Sequence, residues 1–178
     1  MKSDVIMITN SGNGFENAVT ETRKVAEYQG LSGKNVLHLE LMTEEMLSLV
    51  RSVTGKMQAS FWIETEGSRY EMHVATKTVL DKEKRALLIS TASSRKNEAA
   101  KTFLGYLRNA FEEAMAADVD HSLDDIPMDI LNDLPNHPIE SQEWDGYERS
   151  VLRKVADDVK ITIRGGVVDM TVIKNFDL

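Results

Sequence analysis

The sequence contains no cysteine, so neither a disulfide bond nor a thiolate metal site can contribute to its structure. No apolar run approaches the length of a membrane-spanning helix, and the opening residues, MKSDVIMITN, are too short and too polar for a signal peptide. With 178 residues and a hydrophobic fraction of 42%, the chain suits one globular domain, residues 1–178. These features predict a cytoplasmic protein without membrane association.

Basic residues are missing from a long internal stretch. Of the 29 acidic residues, 12 lie within residues 109–148, where there is no Lys or Arg, which leaves 17 acidic against 21 basic residues elsewhere. The same stretch holds all three prolines, Pro127, Pro135 and Pro138. Because nucleic-acid backbones repel such a segment, we expect no nucleic-acid binding through it. The composition predicts an acidic, proline-containing insertion over residues 117–142, whose plainest role is a solvated surface excursion.

Several stretches repeat apolar residues at helical spacing. The first begins at Phe15, and the second covers about residues 34–53 with one apolar stripe for the core. A short helix is predicted to start near Asp81 and a long one near Asn97. A last helix around Trp144 leads into the C-terminal strands.

Two β-hairpins are predicted from alternating apolar residues. The first has its turn at Glu66-Gly67, and the second has its turn at Gly165-Gly166, where two glycines suit the positive φ angles of a two-residue turn. The expected cross-strand pairs are Ile63 with Tyr70, Phe61 with Met72 and Ala59 with Val74 in the first hairpin, and Val159 with Val172, Ile161 with Met170 and Ile163 with Val168 in the second.

With a first strand at residues 5–8, the predicted order is β-α-α-β-β-α-α-(insertion)-α-β-β. Strands that form hairpins, with helices between the hairpins, are typical of the α+β class. The sequence therefore predicts a two-layer sandwich, with a mostly antiparallel mixed sheet and the helices on one face.

This order of elements, together with the segment LMTEEMLSLVR at residues 41–51, resembles the ATP-binding domain of the GHKL superfamily, which has the Bergerat-type ATPase fold. Within that superfamily the chain is most similar to the anti-sigma-factor serine kinases of bacterial stress and sporulation control. The resemblance implies ATP and magnesium as cofactors and a protein partner of the sigma-factor or antagonist type. It implies that Glu44 is the catalytic base that positions the attacking nucleophile. The residues that it places at the nucleotide are Ser48, Thr76, Thr78, Lys96 and Lys101.

The sequence departs from the pattern of that family where the family contacts nucleotide. Ser48 stands where the family has an Asn that holds magnesium, and a Ser hydroxyl is a weaker and shorter ligand. Thr76-Lys77-Thr78 replaces an Asp-x-Gly whose carboxylate reads the adenine amino group. The glycine-rich lid is replaced by residues 93–98, SSRKNE, where Lys96 and the following Lys101 could supply charge. These changes predict weak or absent nucleotide binding, and no residue is assigned as a metal ligand.

Three functions are compatible with the sequence. The favoured one is a regulatory protein that binds a protein partner on a GHKL-like scaffold with weak or lost ATP binding. The second is an active ATP-dependent kinase that phosphorylates Ser or Thr of an antagonist protein, with Glu44 as base. The third is an unrelated α+β interaction module, since Glu44, Ser48 and Arg51 also suit an ordinary solvated helix face. None of the histidines has metal-ligand spacing, so all are expected to be structural or exposed: His38, His73, His121 and His137.

Overall fold

The computed structural model describes residues 1–9, 13–54, 58–100 and 152–177. The strands in these ranges are β1 (Ile6–Ile8), β2 (Ala59–Glu66), β3 (Arg69–Lys77), β4 (Asp158–Arg164) and β5 (Val167–Asn175). The helices are α1 (Phe15–Tyr28), α2 (Gly33–Thr54) and α3 (Lys82–Thr91), followed by a 3-10 turn at Glu98–Ala100. Residues 152–155 are also helical. The predicted insertion, the rest of the helix from Asn97 and the region around Trp144 lie outside the described residues.

The five strands form one sheet in the order β1-β2-β3-β5-β4, and every neighbouring pair is antiparallel. A parallel bridge between Asn97 and Ile161 adds a parallel element at the β4 edge. The predicted α+β class is therefore confirmed. In the described part of the chain, no helix is long and apolar enough to cross a lipid bilayer.

The core lies between the helices and one face of the sheet. Side chains along β2, β3 and β4 alternate between buried and more exposed, as a half-buried sheet requires. The buried set, which includes Phe61, Tyr70 and Met170, forms one cluster with Leu39 and Met46 of α2. The opposite face of the sheet carries mostly polar residues, and we call it the open face.

The C-terminal hairpin has the predicted register. Val159 lies opposite Val172, Ile161 opposite Met170 and Ile163 opposite Val168. Gly165 and Gly166 have φ angles of 58° and 74°, which residues with a side chain rarely adopt. The turn residues and the apolar alternation agree, so the sequence specifies this register.

The predicted register of the first hairpin is wrong by two residues. Ile63 lies opposite Met72, Phe61 opposite Val74 and Ala59 opposite Thr76. The last pair of the hairpin is Glu66 with Arg69, so the turn consists of Gly67 and Ser68, with φ of 57° at Gly67. Because the side-chain period of a strand is two, a two-residue shift leaves every apolar residue on its predicted face. The sequence pattern therefore fixes the face but not the pairing.

Helices α1 and α2 pack against each other through a contact that includes polar groups. The hydroxyls of Thr22 and Thr43 lie 3.0 Å apart in the buried interface. At the edge of the interface, Arg23 Nε donates to Glu40 Oε1 at 2.7 Å, and the Glu40 side chain is only 8% exposed. These paired groups satisfy hydrogen-bonding needs that burial would otherwise leave costly.

The outer edge of β4 is covered by the segment that follows α3. Asn97 is buried, and its amide accepts from Ile163 N and donates to Ile163 O, both at 2.9 Å. Ser93 also makes two hydrogen bonds to one residue of β4: its backbone N–H donates to Val159 O, and its hydroxyl accepts from Val159 N, both at 2.8 Å. The two residues thus replace a neighbouring strand, which protects this edge from further pairing.

Candidate functional site

The predicted catalytic helix, α2, presents one stripe to the surface. Its buried residues cover a broad arc, which leaves Leu37, Leu41, Glu44, Ser48 and Arg51 at spacings of three and four. Glu44 is exposed and Ser48 is half-buried one turn later. The helix therefore places the two residues together on one surface, as the resemblance implies.

The predicted adenine contact lies at the end of β3. Thr76 faces the helices and is buried, and its hydroxyl donates to the carbonyl of Gln58 at 3.0 Å. Thr78 follows the strand, and its backbone N–H donates to Gly166 O at 2.8 Å, which ties the strand end to the β4–β5 turn. Thus Thr76 serves to join the ends of β2 and β3, and Thr78 holds a backbone link between the two hairpins.

Lys96 lies in the connection between α3 and the 3-10 turn, where the family resemblance places the lid. It is exposed, and its N–H lies 3.3 Å from Ser94 Oγ, which also contacts Glu98 at 3.2 Å. The connection contains no glycine, and Arg95 alone among the described non-glycine residues has a positive φ, 52°. Lys101 lies outside the described residues.

The positions that the resemblance assigns are related only by contacts between the elements that carry them. Helix α2 contacts β5, and Val168 of β5 lies opposite Thr76. Within the described ranges, no side-chain hydrogen bond or ion pair joins Glu44, Ser48, Thr76 and Lys96. In the same ranges, no group of three or more His, Asp or Glu is arranged to hold a metal ion.

A second group of interacting side chains, which the sequence did not predict, lies on the open face. The indole of Trp62 on β2 stacks on the imidazole of His73 on β3, with ring centroids 4.9 Å apart and planes 6° from parallel. Lys2 forms an antiparallel bridge with Glu64 of β2 and places its ammonium 4.9 Å from the Trp62 ring centroid. Trp62 therefore contacts both a cation and a titratable ring.

Hydrogen bonds fix the members of this group. Glu64 Oε1 accepts from Lys2 Nζ at 2.8 Å and from Trp62 Nε1 at 3.0 Å. His73 Nδ1 shares a hydrogen bond of 3.0 Å with Thr171 Oγ1. We call the set Lys2, Trp62, Glu64, His73 and Thr171 the open-face ladder.

Burial and charge shift the ionisation of groups in and beside the ladder. Burial lowers the pKa of His73, and Lys2 lowers it further, whereas Glu64, Glu71 and Asp169 partly offset the shift. Hydrogen bonds from Lys2 and Trp62 lower the pKa of the Glu64 carboxyl. Burial raises the pKa of Asp169, against the attraction of His73. The neutral imidazole is thus favoured on this face.

The correct register of the first hairpin would have placed Trp62 opposite His73 from the sequence alone. In the predicted register Trp62 lies opposite Glu71, whereas in the structure it lies opposite His73. Directly opposite residues are the ones whose side chains meet across a sheet. The predicted register therefore assigned each residue to the correct face of the sheet but did not place Trp62 opposite His73.

The fold defines an α+β protein in which one antiparallel sheet carries its helices on a single face. Among solved structures, it is similar to a chain in the crystal structure of the SiaB–SiaC complex from Pseudomonas aeruginosa. The TM-score is 0.50 at 10% sequence identity, and the match covers 98% of this chain and 91% of that one. The likeness at this identity is one of fold. A scan against known protein families finds no match, and neither does a search of curated proteins.

Proposed function

We propose that the chain is a regulatory protein that acts by binding a protein partner, on a scaffold of the GHKL type whose ATP binding is weak or lost. Two features of the molecule support the two halves of this proposal. The first is the chemistry at the end of β3, and the second is the surface of α2.

The observation that carries the loss of nucleotide binding is the hydrogen bond of Thr76. The family pattern needs a carboxylate here, because an acceptor must receive the adenine amino group. Thr76 instead offers one neutral hydroxyl, which is buried and donates to Gln58 O at 3.0 Å, so it supplies no carboxylate at this position. On α2, Ser48 offers magnesium a short neutral oxygen beside Glu44. The hydroxyls of Thr76 and Ser48 therefore suit an ATP–magnesium complex poorly.

Partner binding is supported by the apolar part of the α2 stripe. Leu37 is 63% exposed and Leu41 is 37% exposed, and both continue the line that contains Glu44 and Ser48. Exposed leucines on one helix stripe are a common feature of helix surfaces that dock onto another protein. The similar solved structure is a protein–protein complex, which favours the same kind of role.

Thermal unfolding with ATP and magnesium tests the nucleotide half. An intact site with a dissociation constant of ~10 µM, at ~1 mM ligand, would add about 2.7 kcal/mol to the unfolding free energy. That corresponds to roughly 5–11 °C for a domain of this size. We expect no measurable shift. A shift that disappears in Glu44→Ala and without magnesium would contradict the proposal and favour the active-kinase alternative.

Restoring the family residues gives a positive test of the scaffold. We expect the double variant Ser48→Asn with Thr76→Asp to gain a magnesium-dependent shift with ATP, because the amide and the carboxylate regain their family positions. The matched control is Ser52→Asn, one turn after Ser48 on the same helix and outside the family positions, where the hydroxyl donates to Leu49 O at 2.8 Å. A folded double variant that still shows no shift would count against a GHKL-type site.

The active kinase is kept as a second candidate because Glu44 is exposed and Ser48 follows it by one turn, as the resemblance requires. A kinase of this kind transfers the γ-phosphate to a Ser or Thr hydroxyl, with Glu44 placing the nucleophile. Incubation with radiolabelled ATP and host extract distinguishes the two. Labelled protein that depends on Glu44 would favour the kinase.

The partner-binding half is tested by a pull-down from an extract of the native host, in which the proteins retained by the unchanged chain are compared with those retained by variants. We expect the variant Leu37→Ser with Leu41→Ser to lose specific proteins that the unchanged chain retains, since burial of a leucine contributes about 1.5–3 kcal/mol. Tyr28→Ser, which removes a 79% exposed ring outside the stripe, is the control. Identical retention by all three proteins would contradict a docking role for this stripe.

A further inference from the structure

The open-face ladder connects a titratable ring to the segment at residues 1–3. This segment is held on β2 by backbone bonds, among them Ser3 N–H to Ile63 O at 2.9 Å. It is also held by Lys2, whose ammonium lies over Trp62 and against Glu64. The indole that Lys2 contacts is therefore the same ring that stacks on His73.

Protonation changes what lies against this indole. Neutral His73 stacks on Trp62 without a charge, while the Lys2 ammonium is attracted by the π system of the same indole. When His73 is an imidazolium, two cations compete for the same ring. Only the Glu64 carboxylate, among the described residues, lies against Lys2 to offset the repulsion.

The second ring nitrogen of His73, Nε2, is available to carry the added proton. His73 Nε2 is buried and makes no hydrogen bond within the described residues, and it lies 3.5 Å from Glu71 Oε2. A protonated ring donates from both nitrogens, so Nδ1 can keep Thr171 while Nε2 turns to Glu71. Arg69 Nε contacts the other oxygen of this carboxylate, Oε1, at 2.6 Å, so Oε2 stays available to the imidazolium.

We propose that the Trp62–His73 pair is a proton-operated device in which uptake of a proton by His73 loosens residues 1–3 from the edge of β2. The charged groups that act on His73 come from each neighbouring element: Lys2 from the N-terminal segment, Glu64 from β2, Glu71 from β3 itself and Asp169 from β5. The coupling is reciprocal: if Lys2 disfavours protonation of His73, then protonation of His73 disfavours the seat of Lys2 by the same free energy.

The test uses the variant Trp144→Phe, which leaves Trp62 as the single tryptophan. Its fluorescence is followed from pH 8 to pH 5, together with the hydrogen-exchange protection factor of the Ser3 amide. We expect one transition with a midpoint below ~6.5, the ordinary value for histidine. Across this transition the fluorescence is quenched and the protection of Ser3 is lost.

Three further variants make the test decisive. His73→Gln should remove the fluorescence transition and keep Ser3 protected at low pH. Lys2→Met should raise the midpoint, because the opposing charge is gone. His38→Gln, which changes a half-buried histidine on α2, should leave both signals as they were. Circular dichroism confirms that each variant is folded.

Two outcomes would overturn the device. One is a transition that persists in His73→Gln, since the titrating group would then be another residue. The other is a His73-dependent quenching during which the Ser3 amide stays protected, which would reduce the ladder to a titrating histidine without a conformational effect.

Discussion

Gly14 shows how closely single residues constrain the approach of β1 to α1. Its φ is 93°, and a Cβ atom at this position would lie 2.2 Å from the carbonyl oxygen of Met7. That oxygen belongs to the backbone of β1, so it cannot move aside without shifting the strand. A close backbone contact of this kind requires glycine for space as well as for conformation.

We therefore expect Gly14→Ala to be clearly more destabilising than Gly30→Ala. Gly30 also has a positive φ, 77°, but a Cβ atom there would have no neighbour within 4 Å, so alanine bears only the conformational cost of about 1–2 kcal/mol. At Gly14 the clash adds to that cost. Chemical denaturation of the two variants measures the difference, and equal unfolding free energies would contradict the close approach.

The predicted site residues illustrate what a residue type can and cannot indicate. Glu44 and Ser48 share a surface because a four-residue spacing on a helix requires it, and the sequence predicts this. The role of Thr76 depends on its hydrogen bond to Gln58, a residue 18 positions away, and no local pattern contains that information. The ladder likewise joins residues from four separate segments: the N-terminal residues, β2, β3 and β5.

Asp157, which precedes β4, links the start of β4 to the end of β5, at the end of the C-terminal hairpin opposite its turn. Its Oδ1 accepts from Lys174 Nζ at 2.8 Å, and its Oδ2 accepts from Asn175 N at 2.7 Å. Burial opposes ionisation of Asp157, but the hydrogen bonds from Lys174 and Asn175 outweigh it and lower the pKa of this carboxyl. The ionised form therefore stabilises the hairpin.

Asp157→Asn should lower the unfolding free energy near neutral pH by about 1 kcal/mol or less, because water screens an ion pair whose carboxylate is 38% exposed. A depressed pKa in the folded state means that the contribution is complete above the unfolded value of ~3.9 and is lost as the pH falls through the lower folded value. Denaturation at several pH values should show the two proteins converge in acid.

The neighbouring Asp158 provides the control for this experiment. Its carboxylate lies 3.9 Å from Lys160 Nζ, at the limit of an ion pair. Asp158→Asn should change the stability little at any pH. A pH dependence as large as that of Asp157→Asn would show that general surface charge is the cause, and the specific hydrogen bonds would lose their assigned role.

At the scale of the whole molecule, the acidic insertion predicted at residues 117–142 stays a prediction. The core cluster of the described residues already contains helices and all five strands. We expect deletion of residues 117–142, replaced by a short Gly-Ser linker, to leave a soluble protein with one cooperative unfolding transition, because loop length changes closure entropy only slowly.

Two measurements decide this prediction. Circular dichroism and thermal unfolding of the deletion variant should resemble those of the full chain within a few degrees. A second variant with the same residues kept and their order scrambled should behave alike. If the deletion variant is insoluble, or unfolds without a cooperative transition, the segment contributes to the core and the predicted boundary is wrong.

The sequence by itself determined the class, the order of the described elements and the face that each strand buries. These follow from local periodicity, since a residue's neighbours two, three or four positions away share its face. It also determined the C-terminal register, because Gly165-Gly166 fixes the turn and the apolar pairs agree with it.

Only the tertiary structure decided the register of the first hairpin, the cover on the β4 edge and the open-face ladder. A shift of two residues along a strand keeps all faces, so alternation cannot select among such registers. Asn97 and Ile163 are 66 positions apart, and His73 and Thr171 are 98 apart, so their hydrogen bonds arise only when the strands assemble. Contacts of this kind form across the sheet, and local sequence patterns do not encode them.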